Sequence, residues 1–381
     1  MPSPRLRALG RVLAEYADRA GPPITLALLI AYFALSTDRF WQADNFVNIG
    51  TQEAALGIVA VGETLVIISA GIDLSVGSVV ALSGVVAAVA ARKGVPLWGA
   101  ALFGIIVGAA LAVTLLRRTR VPAAGVVALG AAAAVALAAA TASAGAAPIW
   151  VAAVMGIAAG ALAGACSGLV TALARMPSFV VTLGMMLVCR GAAHVLQERK
   201  TVMLPASFEV LRKPWEVGLA QDLALKIPPL LMVVAVVAVL MALLLRHTPL
   251  GRYAYALGGN REAARLSGVP VAGTEVAVFT ICGLLCGLAG VLLAGRLGGV
   301  SPTSGEFYEL RAIAAVVIGG TSLMGGRGAV GGTIVGFLIM GVLRNGLNLK
   351  GAEPPWQKIA VGTTIIIAVF LDHLRRRRRA G

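Results

Sequence analysis

Long apolar runs separated by short polar stretches dominate this chain. A helix needs about 20 apolar residues to cross a hydrocarbon layer, where the backbone must satisfy its own hydrogen bonds. Twelve runs come close to that length: 23–37, 54–70, 76–92, 97–116, 122–146, 149–174, 178–196, 227–245, 274–296, 308–324, 328–348 and 356–372. The runs at 54–70, 76–92 and 308–324 are short, so the pattern predicts about 10–12 transmembrane helices. The predicted fold is all-α, a polytopic membrane helix bundle.

The interruptions divide the chain further. Residues 1–22 form an N-terminal leader, 23–372 the membrane domain and 373–381 a basic tail. The first apolar run comes after a basic, Pro-containing leader without a small-residue cleavage site, so it reads as a retained helix. Residues 197–226 form a polar loop with Pro205, Pro214 and Trp215. Residues 246–273 are too polar for lipid and suggest a helix–turn element. The Ala- and Gly-rich pair at 97–146 reads as an insertion, and a pair of spans leaves the topology of the later spans unchanged. The sequence Gly319-Gly320-Thr321-Ser322-Leu323-Met324-Gly325-Gly326-Arg327-Gly328 is too dense in glycine for helix packing alone. It reads as a broken or re-entrant turn between two spans.

Composition agrees: 59% of residues are hydrophobic and 13% charged, against roughly half and a quarter in a soluble domain. The net charge of +15 first suggests nucleic acid. However, Lys and Arg sit in short stretches between apolar runs, as at Arg117, Arg118, Arg120 and Arg375 to Arg379. That is the pattern of basic cytoplasmic loops, not of a basic binding face, so no nucleic-acid partner is expected. With the N-terminus in the cytoplasm, twelve spans place Arg175, Arg246, Arg252, Arg261, Arg265, Arg327 and the terminal arginines inside. Asp44, Glu198, Glu209, Glu216, Asp222, Glu306 and Glu353 then fall outside, with Lys93, Lys200 and Lys213 as exceptions. Both termini are therefore expected in the cytoplasm. Cys166, Cys189, Cys282 and Cys286 lie in apolar segments without metal-ligand spacing and read as reduced core residues.

Two constellations carry chemistry. In Gly71-Ile72-Asp73-Leu74-Ser75-Val76-Gly77-Ser78, Asp73 sits at or near membrane depth. A carboxylate at the bilayer centre costs about 2.5–3.5 kcal/mol on insertion scales, so it should face protein or water. Asp73 and Ser75 either cap the helix starting near Val76 or serve a pathway or gate, and the two roles are compatible. Glu63, within the preceding run, either lines a polar cavity or pairs with an arginine. Gly71–Gly77 also matches Gly320–Gly326 at three of seven positions, a hint of a duplicated element. The second constellation is Gly259-Asn260-Arg261-Glu262-Ala263-Ala264-Arg265-Leu266-Ser267-Gly268. Asn260 is a natural N-cap with Glu262 in the first turn, and Gly268 suits the C-terminal stop. The prediction is a helix of about two turns whose small side chains fit a cleft on a partner, or else an ordinary solvated loop.

With these segments in view, the chain resembles the permease subunit of ABC importers for monosaccharides, the ribose, xylose, arabinose and galactose group. The resemblance rests on Leu65–Ser78, Met176–Met186, Gly258–Val269 and Ile313–Asn348, and the length and outer loop lean toward the xylose type. It implies that 259–268 is the coupling helix seated on a cytoplasmic ATP-binding subunit. It also implies that Gly71–Ser78 and Ile318–Gly332 lie near the translocation core. Gly71, Asp73, Ser75, Gly77, Gly319, Gly320, Gly325 and Gly326 in these stretches, with Glu63 and Glu309 outside them, are the translocation or gating candidates. One departure stands out: Tyr308-Glu309-Leu310 is followed by Arg311, where family members commonly carry Asp.

The resemblance implies a homodimeric permease in the bacterial cytoplasmic membrane, fed by an extracellular or periplasmic sugar-binding protein. ATP and magnesium would be bound by the partner ATPase, since the chain has no G-x-x-x-x-G-K-[ST] loop and the 319–332 run lacks the lysine. No cofactor, metal or catalytic residue is expected in this chain. The alternatives are a secondary transporter using Asp73 and Glu63 as a relay, an importer of another small polar solute, and an intramembrane enzyme built on Gly164-Ala165-Cys166-Ser167-Gly168.

Overall fold

The computed structural model describes residues 4–93, 147–197, 201–211, 215–220 and 223–380. The expected spans at 97–116 and 122–146 lie outside these residues. Among the described residues the helices are α1 (Pro4–Ser36), α2 (Ala43–Ile68), α3 (Val76–Lys93), α4 (Ile149–Ala174), α5 (Ser178–Leu196) and α6 (Pro229–His247). They continue with α7 (Pro249–Gly259), α8 (Arg261–Leu266), α9 (Val271–Leu297), α10 (Tyr308–Ile318), α11 (Val330–Leu349) and α12 (Pro354–Ala380). Seven of these, namely α2, α3, α4, α5, α6, α9 and α11, are long and apolar enough to cross a membrane. The chain is an all-α membrane bundle.

The run at 308–324 does not form a span. Its helix α10 stops at Ile318 after 11 residues, a length of about 16 Å. The stop is a glycine turn: Gly320 has φ +92°, and Thr321 N–H donates to the Val316 carbonyl at 3.1 Å. The 197–226 loop is more structured than its polarity suggests. A short 3-10 turn (Ala206–Leu211) comes after strand β1 (Val202–Met203), which pairs antiparallel with β4 (Gly299–Val300). Strands β2 (Trp215–Ala220) and β3 (Leu223–Ile227) form a hairpin.

The chain divides into two compact units, one of Met1–Ile72, Leu230–Thr274 and Leu310–Gly381, the other of Asp73–Pro229 and Glu275–Glu309. In the first, α2 is buried along most of its length and packs on α11. The Thr64 and Thr333 hydroxyls bond each other at 2.7 Å across that contact. Phe33, Phe40, Ile49 and Val342 form an apolar cluster in the same unit.

In the second unit, α3 packs on α4 and α5. Gly156, Gly160, Gly164 and Gly168 fall four residues apart and therefore share one face of α4. A methyl group at Gly160 would overlap the Gly283 carbonyl oxygen, and one at Gly164 the Phe279 carbonyl oxygen, so α4 meets α9 backbone to backbone. Lipid tails are as apolar as leucine, so burial alone does not drive helices together there. Close approach over small residues supplies the attraction instead. By contrast, α5 exposes Leu183, Leu187 and Val188, and α6 exposes Val236, Leu240 and Leu243, faces suited to hydrocarbon.

Candidate functional site

The Asp73 turn lies at the start of α3. Asp73 and Ser75 are both buried. The carboxylate Oδ1 of Asp73 accepts from Ser75 N–H at 2.8 Å and from Ser75 Oγ–H at 2.6 Å. Residue pattern alone suggests that these side chains accept from the helix's own free N–H groups. Asp73 also braces the turn one step ahead, while the Ser75 carbonyl accepts from Val79 N–H at 2.9 Å. Leu74 N–H donates to Thr182 Oγ1 of α5 at 3.1 Å, which fixes the turn against a second helix.

Gly77 lies within the first turn of α3. A methyl group there would overlap Glu309 Oε2 and the Gly305 carbonyl oxygen, so glycine is required for this approach. Glu309 Oε2 is buried and has no hydrogen-bond partner among the described residues. The segment before α10 is held by Arg190 of α5, whose guanidinium donates to the Pro302 carbonyl at 2.6 Å and the Ser304 carbonyl at 3.1 Å. That segment includes Gly305 at φ +73° and Phe307 at φ +63°, a conformation most non-glycine residues avoid. Asp73, Ser75, Gly77 and Glu309 thus belong to one neighbourhood of the second unit, together with Thr182 and Arg190.

The remaining candidates sit in the first unit. Glu63 is fully buried on α2. The ends of α2 and α10 carry the same turn: Gly71 N–H reaches the Val66 carbonyl, as Thr321 N–H reaches that of Val316, after a left-handed residue, Ala70 or Gly320. The suspected repeat is therefore a shared helix stop, but its register is offset by one. The Gly320 position corresponds to Ala70, not Gly71. Gly319 packs against the Gly332 backbone, and Gly325 and Gly326 adopt φ +82° and +72°.

Helix α8 has the local form its residues dictate. The Asn260 side chain accepts from Ala263 N–H at 2.9 Å, and Arg265 pairs with Glu262 at 2.6 Å. That pairing, the hydrogen bond first, pushes the Glu262 carboxyl below its ordinary range. Gly268 ends the helix at φ +82°, with Val269 N–H on the Ala264 carbonyl at 3.0 Å. Every residue from Gly259 to Gly268 except Ala264 is exposed.

Arg311, where the resemblance led to the expectation of Asp, has a carboxylate partner. Its guanidinium pairs with Glu53 on α2, which is buried, and Arg344 on α11 reaches the other Glu53 oxygen at 3.1 Å. Glu53 and Arg311 are 258 residues apart, and hydropathy windows carry no signal for such a pair. Thr182, Arg190 and Tyr255 are likewise silent in the sequence; each is one polar side chain on a helix. Ser167 is fully buried in α4, and its hydroxyl has no hydrogen-bond partner among the described residues. Among the described residues no cluster of metal-ligating side chains occurs.

Among the described residues, seven membrane-length helices joined by backbone-close glycine contacts define a multi-pass membrane protein. The chain belongs to the permease family described as branched-chain amino acid transport system / permease component, which matches residues 45–122 and 110–369. It is 38% identical over 353 residues to the ribose import permease protein RbsC of Escherichia coli (strain K12), covering 93% of each chain. It is 34% identical over 358 residues to RbsC of Bacillus subtilis (strain 168), covering 93% of this chain and 92% of that one. The xylose transport system permease protein XylH of Escherichia coli (strain K12) is 35% identical over 413 alignment positions, covering 93% of this chain and 92% of that one. No solved structure matches the chain.

Proposed function

We propose that this chain is the membrane-spanning subunit of an ATP-driven importer for a monosaccharide, a pentose such as ribose or xylose. The observation that carries this is its 38% identity to a ribose import permease across 93% of both chains. The expected lean toward a xylose-type permease rests on length and the outer loop. The identities to the ribose permease, 38%, and to XylH, 35%, differ little, and either pentose fits them.

The working unit is a homodimer of this chain with a cytoplasmic ATP-binding subunit, and an external sugar-binding protein delivers the solute. ATP and magnesium belong to the ATP-binding subunit. The sorting of arginines ahead of the 308–324 run favours the N-terminus and α8 in the cytoplasm, where the exposed, small-residue face of α8 suits a cleft on that subunit. ATP-driven closure of the partner displaces α8, and the cavity switches between outward- and inward-open states. A neutral sugar is selected by hydrogen bonds, and the Asp73–Glu309 neighbourhood supplies buried polar groups for the path.

The test is uptake of labelled ribose and xylose into proteoliposomes holding this chain, with and without the ATP-binding subunit and ATP. Uptake is expected only with both, and above background for at least one pentose. Uptake driven by a proton gradient without ATP overturns the reading.

A further inference from the structure

Helix α8 is joined to the rest of its unit through α7. The Thr248 side chain accepts from Gly251 N–H at 3.2 Å and starts α7. Asn260 closes it, giving its N–H to the Ala256 carbonyl at 3.1 Å while its side chain starts α8. One residue therefore ends α7 and begins α8, with little slack between them.

The last turn of α7 touches two other backbones. A methyl group at Gly258 would overlap both the Ile68 carbonyl oxygen and Gly326 N. Those two groups are themselves bonded, Gly326 N–H donating to the Ile68 carbonyl at 2.8 Å. A methyl group at Gly326 would lie 3.0 Å from Gly259 Cα, and one at Gly325 would lie 2.8 Å from Ala70 Cβ. One turn earlier on α7, the half-buried Tyr255 donates its hydroxyl to the Gly328 carbonyl at 2.8 Å. Its hydroxyl proton is held more tightly than usual because burial disfavours the phenolate. Three segments, the end of α2, the end of α7 and the turn at 325–328, thus meet with almost no side chain between them.

We propose that this three-way contact is the rigid joint by which movement of α8 reaches the translocation pathway, with Tyr255 as its positioning residue. Side chains packed between elements absorb small shifts through rotamer changes, whereas backbones in direct contact must move together or separate. The end of α2 leads within a few residues to Asp73, and the turn leads to α10 on one side and α11 on the other. A push on α8 is therefore delivered to both candidate segments at once. This inference rests on α8 being the seat of the ATP-binding subunit.

The test uses the complete transporter in proteoliposomes, comparing wild type with Tyr255→Phe, which removes one hydroxyl and leaves the ring. Retention of the ATP-binding subunit and the ATP hydrolysis rate are expected within about twofold of wild type. Uptake should fall about fivefold, the scale of one lost hydrogen bond, so less sugar moves per ATP. Gly258→Ala should shift the same ratio further. If that variant does not assemble, Tyr255→Phe decides alone. Unchanged uptake in Tyr255→Phe, or uptake and hydrolysis falling in parallel, overturns the joint. An Asn260→Ala, Arg261→Ala double variant that retains the ATP-binding subunit as wild type does shows that α8 is not the seat, and removes the reading and the joint together.

Discussion

Replacing Glu53 by Gln should destabilise the first unit by about 3 kcal/mol, and the loss should come almost entirely through Arg311. Glu53 and Arg311 side chains are only 3% and 11% exposed, so neither charge is well solvated without the other. Removing one partner of a buried pair takes away a charge that compensates the other, at a typical cost of about 3 kcal/mol. Arg344 bonds the same carboxylate, but its side chain is 46% exposed, and water screens that arm to about 0.5 kcal/mol. The assay is unfolding by SDS in mixed micelles, with Glu53→Gln, Arg311→Gln, Arg344→Gln and the two double variants that include Glu53→Gln. Glu53→Gln should move the unfolding equilibrium about a hundredfold. Arg311→Gln combined with Glu53→Gln should recover most of the loss, because two neutral groups replace two charges. Arg311→Asp should be worse than Arg311→Gln, since it sets a second carboxylate against Glu53. A loss below 1 kcal/mol for Glu53→Gln, or stronger coupling to Arg344 than to Arg311, would falsify this assignment.

Other consequences concern single contacts. Gly164→Leu forces a side chain into the Phe279 carbonyl and should cost about 3 kcal/mol in the same unfolding assay, whereas Gly184→Ala on α5, with open space around it, should change stability by under about 1 kcal/mol. Asp73→Ala strands the Ser75 N–H and hydroxyl and should cut ATP-driven uptake at least tenfold while the protein still reaches the membrane; normal uptake would remove Asp73 from the pathway. Asn260→Ala removes the α8 cap at about 1 kcal/mol and should weaken retention of the ATP-binding subunit several-fold on affinity columns, whereas Ser167→Ala should leave uptake unchanged.

Much of the molecule is legible in the sequence because the governing physics is local. A run of about 20 apolar residues must be helical in lipid wherever it sits in the chain, so the bundle and most of its boundaries follow from hydropathy alone. Caps are local too: Asn260 and Gly268 act on groups three to five residues away, and α8 begins and ends where those residues put it. The limit appears where a contact spans the sequence. The 308–324 run has the composition of a short span, but its glycines let the backbone turn at Gly320 and end α10 early. Arg311 looks anomalous until folding sets it beside Glu53, and Thr64 finds Thr333 across 269 residues. Glycine carries no label for its task. In the sequence Gly77, Gly164 and Gly258 look alike among the 47 glycines of the chain, and only the partner backbone distinguishes them. Which segments bury themselves is thus written in single-residue free energies. Which buried groups meet depends on three-dimensional packing, and the Asp73 neighbourhood and the joint at Gly258 exist only there.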